Sequence, residues 1–209
     1  MTAKQRMKLC VEALEKEYPD ALCSLVAENP LQLIIATRLS AQCTDERVNK
    51  ITPALFEKYP DLEAFCQAEI EDIERLIYSC GFYKSKAKDI KEMCIKIRDE
   101  FGGQVPDSIE KLTSLPGVGR KTANLIMGDV YKKPAVVADT HLIRITNLLG
   151  FVATKDPKKV ELELKKIIEP EKSNDFCHRV VLHGRAVCDA RKPKCEICCC
   201  RQYCRTFIG

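Results

Sequence analysis

The sequence predicts an all-α protein, and three observations lead to that prediction. Apolar residues recur at three-to-four spacing through almost all of the 209 residues. No segment shows the strict alternation of a half-buried strand, and Val136 and Val137 form too short a run to found a sheet. The connections between periodic segments are short. These features together indicate about ten helices of ordinary length.

Five of these helices are predicted in the first half of the chain. Each has a residue that starts or stops a helix: Pro30 suits a first turn, Asp45 can cap, and Gly81 and Gly102 are typical of helix ends. The predicted spans are 7–18, 30–39, 45–56, 70–77 and 86–101.

Five more helices are predicted in the second half. Ser108 and Asp139 are typical capping residues, Gly119 opens a helix after a glycine-containing turn, and Pro157 suits a first turn. The predicted spans are 108–112, 119–131, 139–149, 157–168 and 173–187.

The composition is that of a globular chain outside the membrane. Hydrophobic residues make up 45% and charged residues 31% of the sequence. The longest apolar runs, such as residues 31–36, are far too short to span a bilayer. The N-terminus has neither the apolar region nor the cleavage site of a secretory signal. We therefore expect a cytoplasmic protein with no membrane partner.

Cysteine and positive charge are both concentrated at the C-terminal end. Six of the thirteen cysteines lie within residues 188–204. Residues 178–209 carry seven Lys or Arg and two acids, a net charge of +5, whereas the rest of the chain nets −1. A basic patch on a nearly neutral body indicates a polyanionic partner or, equally, a solvated surface.

Four of the clustered cysteines have the spacing of a metal site. Cys188, Cys195, Cys198 and Cys204 form a C-x6-C-x2-C-x5-C pattern. Thiolate ligands suit zinc or an iron–sulfur cluster. Zinc sites commonly use two C-x2-C pairs, and this pattern has one, so the spacing favours iron–sulfur only weakly. The intervening Cys199 and Cys200 leave the ligand register ambiguous.

The loop between the first two of these cysteines is cationic. Arg191, Lys192 and Lys194 lie in it. A loop held at both ends by a metal site and bearing three cations is suited to contact phosphates. Four thiolate ligands leave no open coordination position, so the site is predicted to be structural.

The segment 115–123, LPGVGRKTA, predicts a turn that leads into an anion-binding helix start. Gly117 permits a positive φ, and Gly119 exposes the backbone N–H groups of the next helix. A plain helix–turn–helix corner would use the same glycines. The segment is not a phosphate-binding Walker loop, because Arg120 separates Gly119 from Lys121 and the earlier glycine is missing.

Lys121 and Asp139 are the candidate catalytic pair. Lys121 falls in the first turn of a helix, where the macrodipole opposes a positive charge, and a neutral amine is a nucleophile. Asp139 precedes the next apolar helix and can serve as its N-cap. If both helix starts face one cleft, a lysine nucleophile is paired with a carboxylate that can stabilise cationic charge.

These motifs together resemble the endonuclease III family, the helix–hairpin–helix DNA glycosylases with a [4Fe-4S] cluster. The resemblance covers essentially the whole chain. It is carried by residues 39–45 (LSAQCTD), 81–87 (GFYKSKA), 115–123, 139–141 (DTH), 182–185 (LHGR) and the cysteine pattern.

The resemblance implies two helical domains flanking a cleft. Residues 23–133 would form a six-helix barrel with the helix–hairpin–helix, and residues 1–22 and 134–209 a discontinuous iron–sulfur domain. It also implies a [4Fe-4S] cofactor held by Cys188, Cys195, Cys198 and Cys204, which makes Cys199 and Cys200 bystanders.

The implied function is base excision repair of oxidised pyrimidines in duplex DNA. The enzyme would be both a DNA N-glycosylase and an AP lyase: Lys121 attacks C1′ of a flipped nucleotide, Asp139 stabilises the sugar cation, and the Schiff base allows β-elimination. Double-stranded DNA with damaged bases or abasic sites is the expected partner. A monomer associated with the nucleoid is expected.

The resemblance also assigns the DNA contacts. Gln42 would fill the gap left by the flipped base, and Phe82 and Tyr83 would occupy a wedge loop. A core position is an equally good interpretation of Phe82. The remaining predicted contacts are Gly117, Gly119, Arg120, Arg191, Lys192 and Lys194.

Three other functions are compatible with parts of the pattern. A non-catalytic DNA-binding module would explain the hairpin and the cysteines but not the pairing of Lys121 with Asp139. A redox protein would leave the hairpin unused. A relative acting on a mismatched thymine or an oxidised purine is the alternative that the sequence excludes least.

Overall fold

The structure, a computed structural model, describes residues 1–208, and these form helices without any strand, as the sequence predicts. The α-helices are α1 (Ala3–Glu17), α2 (Pro30–Ser40), α3 (Asp45–Lys58), α4 (Leu62–Gln67), α5 (Ile70–Ile77), α6 (Tyr83–Phe101), α7 (Ile109–Thr113), α8 (Arg120–Asp129), α9 (Thr140–Leu148), α10 (Pro157–Leu164), α11 (Ser173–Ala186) and α12 (Arg205–Ile208). Short 3-10 turns cover Tyr78–Cys80, Pro170–Lys172, Cys195–Ile197 and Arg201–Tyr203.

Two helices were not predicted from the sequence. Helix α4 has six residues, too few to show a helical period, and it is fixed by the Asp61 carboxylate, which accepts a hydrogen bond from Ala64 N at 2.8 Å. Helix α12 is a single turn after Cys204. Both depend on their surroundings more than on their own apolar pattern.

Several predicted boundaries were also wrong. The cap of α3 is Thr44, whose hydroxyl accepts from Arg47 N at 3.2 Å, so that Asp45 lies in the first turn. Helix α6 begins three residues before the predicted start at Lys86. Helix α10 ends at Leu164 because Lys165 to Ile168 tighten into turns. Such tightening at a helix end is common and has no clear sequence signal.

The chain divides into two compact units. One contains Ser24–Tyr131, and the other combines Met1–Cys23 with Lys132–Gly209.

The unit Ser24–Tyr131 holds α2 to α8 around one apolar core. Helix α6 packs against α4 and α5, and α2 packs against α3 and α8. The fully buried residues Ile34, Ile35, Ile90, Met93 and Ile97 supply this core. Helices α7 and α8 pack against each other as a hairpin.

The other unit packs α11 against α1 and α9. Met7, Leu14 and Phe176 are buried at this junction. The Arg6 guanidinium donates to the carbonyls of Gly150, at 2.8 Å, and Tyr203, at 3.0 Å, so α1 holds the C-terminal segment by hydrogen bonds as well as by apolar packing. No helix within residues 1–208 is long and apolar enough to cross a membrane.

Candidate functional site: a glycine hairpin, two exposed loops and a cysteine-lined cavity

The α7–α8 hairpin turns through Leu115 to Gly119. Val118 N donates to Leu115 O at 3.2 Å, with proline and then a glycine of φ +71° between them. Proline followed by a left-handed glycine is the pattern of a type II turn. A Cβ on Gly117 would lie 2.6 Å from Arg38 Cδ and Nε, so a larger residue would also displace the Arg38 side chain.

The turn delivers an exposed helix start. Gly119 is the N-cap of α8, and no side chain caps the helix. A Cβ on Gly119 would have no neighbour within 4 Å, so the surface beside the first N–H groups is open. Lys121 is exposed in the first turn, and Arg120 is half-buried beside it. Free N–H groups and the helix dipole suit this helix start to bind an anion, which stays a prediction from the sequence.

Asp139 occupies the N-cap of α9, in the unit that contains the C-terminal segment. Its Oδ1 accepts a hydrogen bond from Leu142 N at 2.7 Å, and the residue is half-buried. Two residues on, His141 lies against α11, where a Cβ on Gly184 would meet His141 Nδ1 at 2.6 Å. That Nδ1 is buried and has no hydrogen-bond partner among the described residues.

Two of the three residues predicted to enter the duplex share an unusual backbone. Gln42, just after α2, has φ 53°, and Phe82, just before α6, has φ 48°. Both are exposed, Phe82 to 69% of its surface, so the interpretation of Phe82 as a core aromatic was wrong. Tyr83 is half-buried, and its ring packs 4.8 Å from that of Tyr78.

The four predicted ligand cysteines line one cavity of about 130 Å³. Leu14, Ile145, Leu148, Leu149 and Phe207 supply apolar wall around them. Burial raises the pKa of the Cys188 thiol and raises that of Cys198 to about 11. Thiolates at these positions therefore require a positive partner.

The cavity is held by hydrogen bonds from several helices. Arg144 of α9 donates to Cys188 O at 2.6 Å and approaches its sulfur at 3.7 Å. His183 of α11, only 2% exposed, lies between Tyr18 Oη at 3.2 Å and Cys198 Sγ at 3.3 Å.

Among residues 1–208, no three His, Cys, Asp or Glu side chains come together as ligands of one metal ion. Cys200 also reaches the cavity, but its sulfur lies 2.9 Å from that of Cys10, in α1. Cys199 Sγ lies 3.9 Å from Cys200 Sγ.

The cationic loop is exposed and locally stiff. Asp189 Oδ1 accepts hydrogen bonds from the backbone N–H groups of Arg191, at 2.8 Å, and Lys192, at 3.0 Å. These bonds hold the pKa of Asp189 below its ordinary value. Lys194 Nζ donates to Ala186 O at 3.0 Å. All three cations are exposed.

Sequence reasoning missed two residues that organise the hairpin unit. Arg38, in α2, pairs with Asp89 at 2.7 Å directly beneath Gly117. Lys86, in α6, is 1% exposed. Lys86 shares the spacing of Ile90, Met93 and Ile97 on the buried face, and that register is the signal that could have identified it as buried.

Known proteins resemble this chain in both fold and sequence. The model of the family "HhH-GPD superfamily base excision DNA repair protein" matches residues 35–170. Endonuclease III of Synechocystis sp. is 48% identical over 196 residues, covering 93% of this chain and 90% of that protein. Endonuclease III of Bacillus subtilis is 37% identical over 202 residues, covering 96% and 92%.

The solved structures agree with these relatives. A trapped endonuclease III–DNA covalent intermediate superimposes with a TM-score of 0.92 at 41% identity, covering all of this chain and 98% of that one. A thermostable thymine-DNA glycosylase superimposes with a TM-score of 0.89 over 98% of this chain and 97% of that one; at 23% identity, that likeness shows the fold alone.

The hairpin, the all-helical fold and the family match define a helix–hairpin–helix base excision DNA repair protein. Within that class, the chain belongs to the endonuclease III family, and it is a base-excision-repair DNA glycosylase and AP lyase. An enzyme of this family is neither a non-catalytic DNA-binding module nor a simple electron carrier, which answers two of the alternatives left open by the sequence.

Proposed function

We propose that this enzyme removes oxidised pyrimidines from duplex DNA with Lys121 as its nucleophile. The observation that carries the proposal is the exposed Lys121 side chain in the first turn of α8, beside N–H groups that no side chain caps. A helix start of this kind can hold a DNA phosphate while an adjacent amine reaches the sugar.

The proposed reaction has two stages. Lys121 Nζ forms a bond to C1′ as the glycosidic bond breaks, and the base leaves with the electron pair and takes up a proton. The C1′–O4′ bond then breaks, O4′ takes up a proton, and the bond between C1′ and Nζ becomes an imine. This imine acidifies C2′, and loss of a C2′ proton expels the 3′ phosphate and cuts the strand. Asp139 stabilises the positive charge that develops on the sugar and accepts the proton from Lys121.

We also propose a [4Fe-4S] cluster in the cysteine-lined cavity. In such a cluster each cysteine binds a different iron, so the sulfurs stand farther apart than the ligands of a single ion. An apolar cavity lined by Cys188, Cys195, Cys198 and Cys204 suits that cluster. With every ligand position taken, the cluster would stiffen the cationic loop.

The proposed DNA contacts follow from exposure. Gly117, Gly119 and Arg120 would hold phosphates at the hairpin, Arg191, Lys192 and Lys194 would hold them at the loop, and Gln42, Phe82 and Tyr83 would enter the duplex. Of these, Gln42, Phe82, Gly117, Gly119 and the three loop cations are exposed, whereas Tyr83 and Arg120 are half-buried.

The two compact units correspond in this proposal to the two domains expected from the resemblance. The unit Ser24–Tyr131 would be the barrel with the hairpin, and the other unit would carry the cluster. An enzyme that repairs chromosomal DNA would be found with the nucleoid.

Borohydride trapping tests the proposed nucleophile. The substrate is a duplex with one thymine glycol, compared with the undamaged duplex. We expect a covalent protein–DNA adduct only on the lesion, its loss in Lys121→Ala, and its retention in Lys111→Ala, which removes an exposed lysine from the other helix of the hairpin.

Two results would contradict the proposal. An adduct that persists in Lys121→Ala would assign the nucleophile to another residue. Protein that holds its cluster and neither nicks nor traps thymine glycol, but does act on a mismatched thymine or an oxidised purine, would move the lesion class to that alternative.

A further inference from the structure

Lys86 is a buried charge that the proposed reaction does not use. The residue lies one turn into α6 with 1% of its surface exposed. Its Nζ donates hydrogen bonds to Cys80 O at 2.7 Å and Leu39 O at 2.8 Å. Burial lowers the pKa of Lys86. Because burying an ammonium group is costly unless it is hydrogen-bonded, these two carbonyls account for its presence in the core.

Both acceptors lie at the C-terminal end of a helical segment. Leu39 is in the last turn of α2, and Cys80 is the last residue of the 3-10 turn Tyr78–Cys80. Carbonyls at such ends have no partner within their helix and carry partial negative charge. A single ammonium group therefore connects two helix ends that are far apart in the sequence.

Each of these helix ends is followed within three positions by a residue whose backbone is left-handed. Gln42 follows Leu39 by three positions, and Phe82 follows Cys80 by two. Within residues 1–208, Lys132 is the one other residue besides glycine with a positive φ. Such backbone is unfavourable for residues other than glycine and persists where the surroundings determine it. Here the surroundings common to both loops include the Lys86 ammonium.

We propose that Lys86 is a positioning residue that fixes Gln42 and Phe82 relative to each other, so that both enter the duplex together. The proposal rests on the proposed function, in which these two exposed side chains enter the DNA. Lys86 is itself buried and would not touch the substrate. Its effect would pass through the carbonyls of Leu39 and Cys80.

Lys86→Met tests the proposal, because methionine has a similar length without charge or donors. The test compares two reactions of the same protein. Excision from a thymine-glycol duplex needs insertion, whereas strand cleavage at an abasic site in single-stranded DNA has no opposite base or stack to enter. We expect a loss of about 10- to 100-fold in single-turnover excision from the duplex, as for other displaced contacts. Cleavage of the single strand should stay within about twofold, because Lys121 is unaltered.

Lys91→Met is the matched control. Lys91 lies in the same helix, and its Nζ also donates to a carbonyl at the end of a helix, Ala68 O at 2.7 Å. That carbonyl is the C-cap of α4, and neither Gln42 nor Phe82 directly follows that helix. We expect Lys91→Met to leave the ratio of duplex to single-strand activity unchanged. If Lys86→Met lowers both activities equally, Lys86 is only a core residue and the proposal is wrong.

A binding measurement separates this proposal from the proposed function. The probe is 2-aminopurine opposite a tetrahydrofuran abasic analogue, which cannot form a Schiff base. Fluorescence should change on binding of the wild-type protein and much less with Lys86→Met. Wild-type protein that gives this signal but excises no lesion would overturn the enzymatic proposal alone. Equal signals from wild type and variant would overturn the positioning role alone.

A second variant covers a failure of Lys86→Met to fold. Lys86→Gln keeps two N–H donors without the charge and is expected to give an intermediate ratio of duplex to single-strand activity. A wild-type ratio in folded Lys86→Gln, together with a wild-type fluorescence change, would contradict a positioning role for the ammonium group.

Discussion

Asp139 combines a helix cap, which the structure shows, with the catalytic role that we propose, and different properties of its carboxylate serve the two. Its Oδ1 accepts the hydrogen bond that caps α9. The proposed reaction needs its negative charge, whereas the cap needs only an acceptor oxygen. An alanine substitution would remove both roles at once and could not distinguish them.

Asp139→Asn should therefore lose activity without losing the helix cap. Asparagine caps as well as aspartate, so we expect the free energy of unfolding to change by less than about 0.5 kcal/mol. Excision should fall by about 10²- to 10³-fold, the usual effect of removing one group that stabilises transition-state charge. Single-turnover excision from the thymine-glycol duplex and urea unfolding followed by circular dichroism measure the two effects.

The outcome that would contradict this role is wild-type excision by Asp139→Asn. Asp139→Ala serves as the control for the cap, because it should cost about 1 kcal/mol of stability in addition to activity. A similar loss of stability in both variants would indicate that the charge, and not the oxygen, holds α9.

At the scale of helices, one side-chain hydrogen bond holds the end of α8. Tyr131 follows α8, and its hydroxyl donates to Val105 O in the connection between α6 and α7. Burial raises the pKa of Tyr131. The neutral phenol is thus the form that stabilises this part of the hairpin unit.

This contact predicts that wild type and Tyr131→Phe differ in their free energy of unfolding, and that the difference depends on pH. At pH 7 the variant should be less stable by about 1 kcal/mol, the value of one hydrogen bond. The unfolded phenol titrates near pH 10, below the raised value in the folded state, so the folded protein retains the proton longer. Wild-type stability should fall as pH rises above about 10, and the advantage over Tyr131→Phe should shrink.

Urea unfolding at pH 7 and above pH 10, followed by circular dichroism because the chain has no tryptophan, measures this difference. Tyr78→Phe is the control, since Tyr78 is 67% exposed. A difference between wild type and Tyr131→Phe that stays constant across this pH range would show that the hydroxyl does not contribute through its proton.

The sequence predicted elements better than it predicted how they are held together. Apolar periodicity identified the long helices and the all-α class, because burial of one helix face determines both. It missed α4, whose six residues are too few for a period, and placed the start of α6 late, because Phe82 enters that helix from a left-handed backbone. The register of Lys86 with the buried face of α6 could have identified it as buried, but its carbonyl partners, Cys80 and the more distant Leu39, become known only from the fold.

Charge distribution is the property of the whole molecule that bears most directly on DNA. Residues 178–209 net +5, although the full chain nets only +4. Two explanations of DNA affinity differ here. Long-range electrostatic attraction of DNA depends on the total charge of the protein, whereas direct phosphate contacts depend on where each cation lies. The Asp189 hydrogen bonds, which order the loop before any DNA binds, favour the second explanation.

The salt dependence of binding distinguishes these explanations. Replacing Arg191, Lys192 and Lys194 together with glutamine should reduce the slope of log K against log salt by about 0.9 for each phosphate that is no longer neutralised, or about 2.7 for three. The control replaces Lys158, Lys159 and Lys166, which are exposed and carry the same total charge. Fluorescence anisotropy with an undamaged duplex measures both slopes. Equal reductions in slope would mean that the net charge of the protein attracts DNA. A reduction confined to the loop variant would show that the loop cations contact phosphates directly, because the two triple variants differ only in the position of the charges removed.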